Sequence, residues 1–188
     1  MSIVVKTDFK GEYNISKNCY DQLDFYIEKY ENYYLVRLLG AELYTLLISD
    51  LTATNPQIPQ SIRFLNIFNA FSLDEHSCLY YSEGIREMLV QFIYFHYVRE
   101  SQVINSASGT VTNSVELGVN AKFMGNIVQV YNQGVKNACA IQWYINENEL
   151  EYPEENMQPF EYTSGIWEIL LSLKILMQVF SKLAMRLT

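Results

Sequence analysis

Apolar residues recur three and four positions apart from the start of the first long segment: Leu23, Ile27, Tyr30, Tyr34 and Leu38 trace one stripe. That is the 3.6-residue period of a helix that turns one face to a core. The pattern breaks at Gly40, where a left-handed residue can end a helix and redirect the chain. It then resumes to about Leu51. Asn18, with Asp21 three residues on, is a weak N-cap for this helix. Residues 1–17, with Ile3, Val4 and Val5 and then Gly11, predict an extended N-terminal arm.

Thr52–Gln60 holds two prolines and reads as a loop, after which Ser61 can cap a short helix over Ile62–Phe71. Leu73–Ser82 reads as a polar connection. Glu83–Glu100 carries Ile85, Met88, Leu89, Phe92, Ile93 and His96 on one stripe, and Val90, Tyr94, Phe95 and Val98 on others. A helix apolar nearly all round belongs at the centre of a bundle.

Residues 101–120 then mix Ser, Thr, Asn and Gly with Val111, Val115 and Val119. The segment predicts a β-hairpin or long loop over 104–120 with little core content. Loops of that length in compact domains tend to be functional or disordered, and on the functional alternative Asn105, Ser108, Gly109, Thr110, Val111 and Val115 are candidate interface residues. Helical periodicity returns over Ala121–Leu150 and ends in an acidic run, Glu147, Glu149, Glu151, Glu154 and Glu155, with Pro153 and Pro159 as stops.

Residues 163–188 predict a separate amphipathic helix. Glu168, Ser172, Lys174, Gln178, Ser181 and Lys182 fall on one half, and Trp167, Leu171 and Phe180 lead the apolar half. These charges interrupt the roughly 20 apolar residues a membrane span needs. The expectation is a helix that docks instead on its own bundle or on a neighbouring subunit, with a membrane surface as the remaining alternative, so Trp167, Leu171 and Phe180 join the candidate interface. The expectation is an all-α bundle (1–162) with a long loop or β-hairpin between core helices, extended terminal arms, and a C-terminal helix (163–188).

Composition narrows the function. Lys+Arg 13 against Asp+Glu 21 gives a net charge of −8, and no basic run is present. Gripping DNA or an anionic membrane takes clustered Lys and Arg, so neither is expected as a tight partner. Fifteen tyrosines suit half-buried positions and protein contacts. Cys19, Cys78 and Cys139 are odd in number and far apart, which argues against a disulfide framework. The first residues lack the apolar stretch of a signal peptide.

Nothing in the pattern assembles a reaction centre. His76 and Cys78 form an isolated H-x-C pair, unlike the doubled ligand pairs of zinc sites. His96, on the helical stripe, reads as a hydrogen-bonded core histidine. The serines lack a nucleophile-elbow motif, and Gly109, Gly118 and Gly125 are too scattered for a phosphate loop. Glu28 with Glu31, and Asp21 with Asp24, read as solvated helix faces. The acidic run 147–156 lacks calcium-loop spacing around a central glycine. No enzymatic activity, cofactor or metal is expected.

Two features carry a resemblance. One is the tyrosine-rich helix ending YYLVRLLGAELYTLLISDL. The other is EGIREMLVQFIYFHYVRE followed by the polar SGTVTNSV loop and the helix NIVQVYNQGVKNACAIQWYI. Over about residues 20–152 the chain resembles the small helical head–tail connector (adaptor) proteins of tailed bacteriophages, particularly those of Bacteroides-type hosts, including crAss-like phages.

The resemblance implies a virion structural protein, made in the bacterial host cytoplasm and located in the neck. It implies a homo-oligomeric ring of about twelve subunits below the portal protein, extending the DNA channel and docking further neck or tail proteins. The family's loop between core helices and its terminal arms contact portal and neighbours. Here these would be Asn105–Asn120 and the two ends, with Glu147, Glu149, Glu151, Glu154 and Glu155 free to face the lumen. Two other readings stay open: a small helical ligand-binding or regulatory bundle whose pocket is lined by Phe92–Tyr97, and another tail completion protein, a class that is usually β-rich.

Overall fold

A computed structural model describes residues 2–15, 20–75, 78–101, 103–106, 109–112 and 117–154. Helices dominate. Two short 3-10 turns, Lys6–Asp8 and Gly11–Tyr13, precede α1 (Tyr20–Asp50), α2 (Ile62–Phe68), α3 (Gly84–Ser101) and α4 (Leu117–Glu147). A hairpin of β1 (Phe71–Glu75) and β2 (Cys78–Ser82) sits between α2 and α3, and a second, β3 (Val103–Ser106) and β4 (Gly109–Thr112), lies between α3 and α4.

The stripe Leu23, Ile27, Tyr30, Tyr34 and Leu38 is buried along its length, and Leu43 and Leu47 continue it past the break. The break lies at Gly40, whose φ of 73° and ψ of 172° interrupt the helical geometry of α1. Only glycine adopts that combination without steric cost. The α3 stripe is buried from Ile85 to Ile93, with His96 half-buried at its end and Val90 on another face also sealed, so α3 is the central helix. Its most extensive packing is against α4, through Ile127, Val135, Ala138, Ile141 and Ile145.

Several expectations need correction. Leu73–Ser82 is not a polar connection but part of the antiparallel β1–β2 hairpin, in register Phe71↔Ser82 and Leu73↔Tyr80. Its inner face meets α4, where Tyr80 stacks on Trp143 with ring centroids 4.9 Å apart. The hairpin displaces the end of α2 to Phe68. Ser61 makes no side-chain cap there, because its hydroxyl donates to Asp50 Oδ2 at 3.0 Å.

The second correction concerns the N-terminal arm. Residues 2–15 do not reach away from the body: Ile3, Val4, Phe9, Tyr13 and Ile15 are buried in the chain's own core. The third concerns a carboxylate read as solvated. Glu31 is buried and accepts from the Ile3 N–H at 3.1 Å, the Val4 N–H at 3.0 Å and the Ser2 hydroxyl. Lys6–Asp24 at 2.7 Å and a two-point Arg86–Asp8 pair strap the same segment down.

Candidate functional site

The predicted interface loop lies partly on the second hairpin. Asn105 pairs with Thr110 and Ile104 with Val111, and Gly109 opens β4 opposite Ser106. The backbone therefore forms the hairpin alternative of the expectation, and α4 begins at Leu117, earlier than the periodicity suggested. Ser108 and Val115 lie outside the described residues, as do Trp167, Leu171 and Phe180 with the whole of 163–188.

The acidic end divides in two. Glu147, Glu149 and Glu151 are exposed where α4 ends. Glu154 is not free to face a lumen: both its oxygens accept from Arg63, at 3.2 and 2.8 Å, and that guanidinium holds its carboxyl below the usual range against the opposing effect of burial. Tyr152, fully buried, donates to the Arg63 carbonyl at 2.6 Å, so the segment after α4 is fastened to α2. Glu155 lies outside the described residues.

His96 is hydrogen-bonded as expected but half-buried, at the edge of the core rather than within it. Its Nε2 lies 2.7 Å from the Tyr34 hydroxyl, and its ring stacks on Tyr30 at 3.8 Å. Burial, reinforced by the Arg99 charge, lowers its pKa to about 4, so the ring is neutral at ordinary pH. Tyr30 in turn donates to Glu100 at 2.5 Å. Phe92 stacks on Tyr34 at 4.0 Å and is fully buried, as is Ile93. Within the Phe92–Tyr97 stretch, Phe92, Ile93 and Tyr97 are buried in the core, whereas Tyr94, Phe95 and His96 are half-buried and Tyr94 borders a cleft beside Tyr13 and Glu83.

A second polar cluster was not foreseen. Asn137 and Gln91 are both fully buried. Asn137 Nδ2 donates to Gln91 Oε1 at 2.9 Å and to Glu83 Oε2 at 3.0 Å, while Gln91 Nε2 donates to Glu83 Oε2 at 2.7 Å and to the Tyr13 hydroxyl at 3.1 Å. The Glu83 N–H donates back to Asn137 Oδ1 at 3.1 Å. The network ties the head of α3 to α4 and to the N-terminal strap. A buried amide left unpaired costs about 1–3 kcal/mol, and here each is satisfied. Gln91 and Asn137 on otherwise apolar stripes were the only sequence signal.

Large apolar side chains also stand in solvent. Leu79 and Tyr81 point outward from β2 at 73% and 56% exposure, and Phe25, Tyr33 and Val36 are exposed along α1. Among the described residues no group of three His, Cys, Asp or Glu side chains could hold a metal ion, and no helix is long and apolar enough to cross a membrane. No family model, curated protein or solved structure matches the chain.

Proposed function

We propose that this chain is a virion structural protein, a head–tail connector subunit that forms a ring below the portal, extends the DNA channel and docks the tail. The resemblance over residues 20–152 supplies the reading. The structural observation that supports it is the hairpin β3–β4, inserted between the two helices that pack most extensively on each other. An insertion there leaves the α3–α4 core intact while offering backbone and side chains to another protein.

The mechanism is geometric and needs no reaction centre. Helical bodies stand side by side in head-to-tail contact, and a closed ring forms when the rotation per subunit closes. The exposed Leu79 and Tyr81, or Phe25 and Tyr33, give such contacts their apolar area. Glu147, Glu149 and Glu151 are exposed at one helix end, and a net charge of −8 keeps DNA from adhering as it passes. The exposed apolar residues favour an assembling subunit over a monomeric regulator, and the helical body does not suit a β-rich completion protein.

Deleting Ser106–Ser114 tests the reading. The deleted protein should keep its helical spectrum and its melting temperature, yet fail to co-sediment with rings of the portal protein that the full chain binds. A cooperative loss of helix on deletion would make the hairpin core structure and remove the support it gives.

A further inference from the structure

The described residues end at a fixed point. Tyr152 is buried and donates to the Arg63 carbonyl, the Arg63 guanidinium stands over the Tyr152 ring at 5.2 Å, and Glu154 accepts from both arms of that guanidinium. Ile62 precedes Arg63 in α2, and Leu150 lies two residues before Tyr152. These two side chains therefore flank the junction, and they are 73% and 99% exposed. Ile58, four residues before Ile62, is exposed as well. Single apolar residues in solvent are ordinary, but three around the point where the chain departs mark a surface to be covered.

The sequence that follows supplies a cover of matching character. Residues 163–188 lie outside the described residues. Within them Ile169, Leu173, Leu176, Phe180, Leu183 and Leu187 recur four and three apart, which gives one narrow apolar stripe on a helix of about 33 Å over 166–187. Lys174, Lys182 and Arg186 against Glu168 give 163–188 a net charge of +2, which leaves −10 on residues 1–162 of the chain's total of −8. Glu147, Glu149 and Glu151 are exposed on the same end of α4 as Leu150.

Reach and tethering favour the chain's own segment over any other occupant. Residues 155–165 span at most about 40 Å when extended, enough to turn a helix back onto this end. A short tether holds the segment beside its own chain at an effective concentration on the order of millimolar. A second copy in dilute solution does not match that.

We propose that residues 166–187 form a helix that folds back on its own chain and seats its apolar stripe on Ile58, Ile62 and Leu150. Its basic side chains, on long flexible stems, then reach toward Glu147, Glu149 and Glu151. The sequence alone left its own bundle, a neighbouring subunit and a membrane surface open; the point of departure, the exposed apolar side chains and the opposite charge select its own chain. The inference concerns the free chain and stands apart from the connector reading.

The test is photo-crosslinking of the full chain with p-benzoylphenylalanine in place of Leu150 or Ile62, at about 1 μM, far below the effective concentration of the tether. The expected product has the mass of one chain, and peptide mapping places the new bond within residues 166–187. The same probe in place of Phe25, which is exposed beside Tyr26 and the Tyr97 end of α3, should give little of it. Leu173→Asp combined with Phe180→Asp should cut the Leu150 product roughly tenfold or more. Lys174→Glu combined with Lys182→Glu, which leaves the stripe intact, should cut it roughly threefold at low salt and less at high salt.

A product of two-chain mass alone would assign the face to a second copy. Loss of the product on adding phosphatidylglycerol vesicles would assign the segment to a lipid surface. Either result overturns the proposal, as do equal yield from the Phe25 probe, bonds that map outside 166–187, or a yield that neither pair of substitutions lowers.

Discussion

Glu31 holds the start of the chain against the bundle by taking hydrogen bonds from two consecutive backbone N–H groups and a serine hydroxyl. Removing its carboxylate strands buried donors at Ile3 and Val4, each costing about 1–3 kcal/mol. Glu31→Ala should therefore lower stability by about 2–4 kcal/mol in urea denaturation and open the N-terminal segment to proteolysis. A loss below about 0.5 kcal/mol, the scatter of neutral surface changes, would mean that the strap is held elsewhere.

His96 sets a pH dependence with a definite sign. Burial holds its folded pKa at about 4, below histidine's ordinary value of 6.5, so the unfolded chain binds the proton more readily. Stability from this residue is complete above the unfolded value and is lost as pH falls from about 6.5 towards 4, by about 2 kcal/mol given partial solvent access. Glu87, with its raised carboxyl, acts in the opposite sense. The comparison that isolates the histidine is His96→Phe, which should flatten the slope between pH 6.5 and 5 in paired thermal melts. An unchanged slope would contradict the neutral, half-buried ring.

Helices were legible where the three-and-four spacing of apolar residues was sustained over several turns. The α1 stripe, the Gly40 break and the α3 stripe all follow from local spacing. The β1–β2 hairpin was not legible because its alternation is scrambled: the inner face includes Ser82, while Leu79 and Tyr81 occupy the outer one. Nor could the strap be read, since the burial of Glu31 depends on backbone 27 and 28 residues away. The Glu83–Gln91–Asn137 network is invisible for the same reason: its members come from separate elements. The hairpin between α3 and α4 was legible only as an alternative to a loop, because Ser, Thr, Asn and Gly with spaced valines suit both.

One element junction carries a sharp prediction. Gly84 begins α3 at φ 88°, and a Cβ there would stand 2.3 Å from the Phe68 carbonyl oxygen. That oxygen is backbone at the end of α2, so it cannot swing aside. Gly84→Ala should cost about 2–4 kcal/mol through strain and the displaced α2–α3 junction, read as a fall in the urea midpoint at constant slope. A neutral result would show that the junction yields more readily than its packing implies.

At the scale of the whole molecule, the chain combines a sealed helical core, an inserted hairpin, exposed apolar side chains and a strong negative charge. Each property suits a component of an assembly, and the connector reading joins them through the resemblance. It places the acidic end of α4 near passing DNA and the hairpin against the portal. On that reading a tailed phage carries the gene, and the most direct test is a reconstruction of the neck in its virions. The account predicts a ring of this fold directly below the portal, with residues 103–112 in contact with a portal or neighbouring subunit. Virions complete with tails that lack this chain, or a neck whose density cannot accommodate the α1–α3–α4 body, would contradict it.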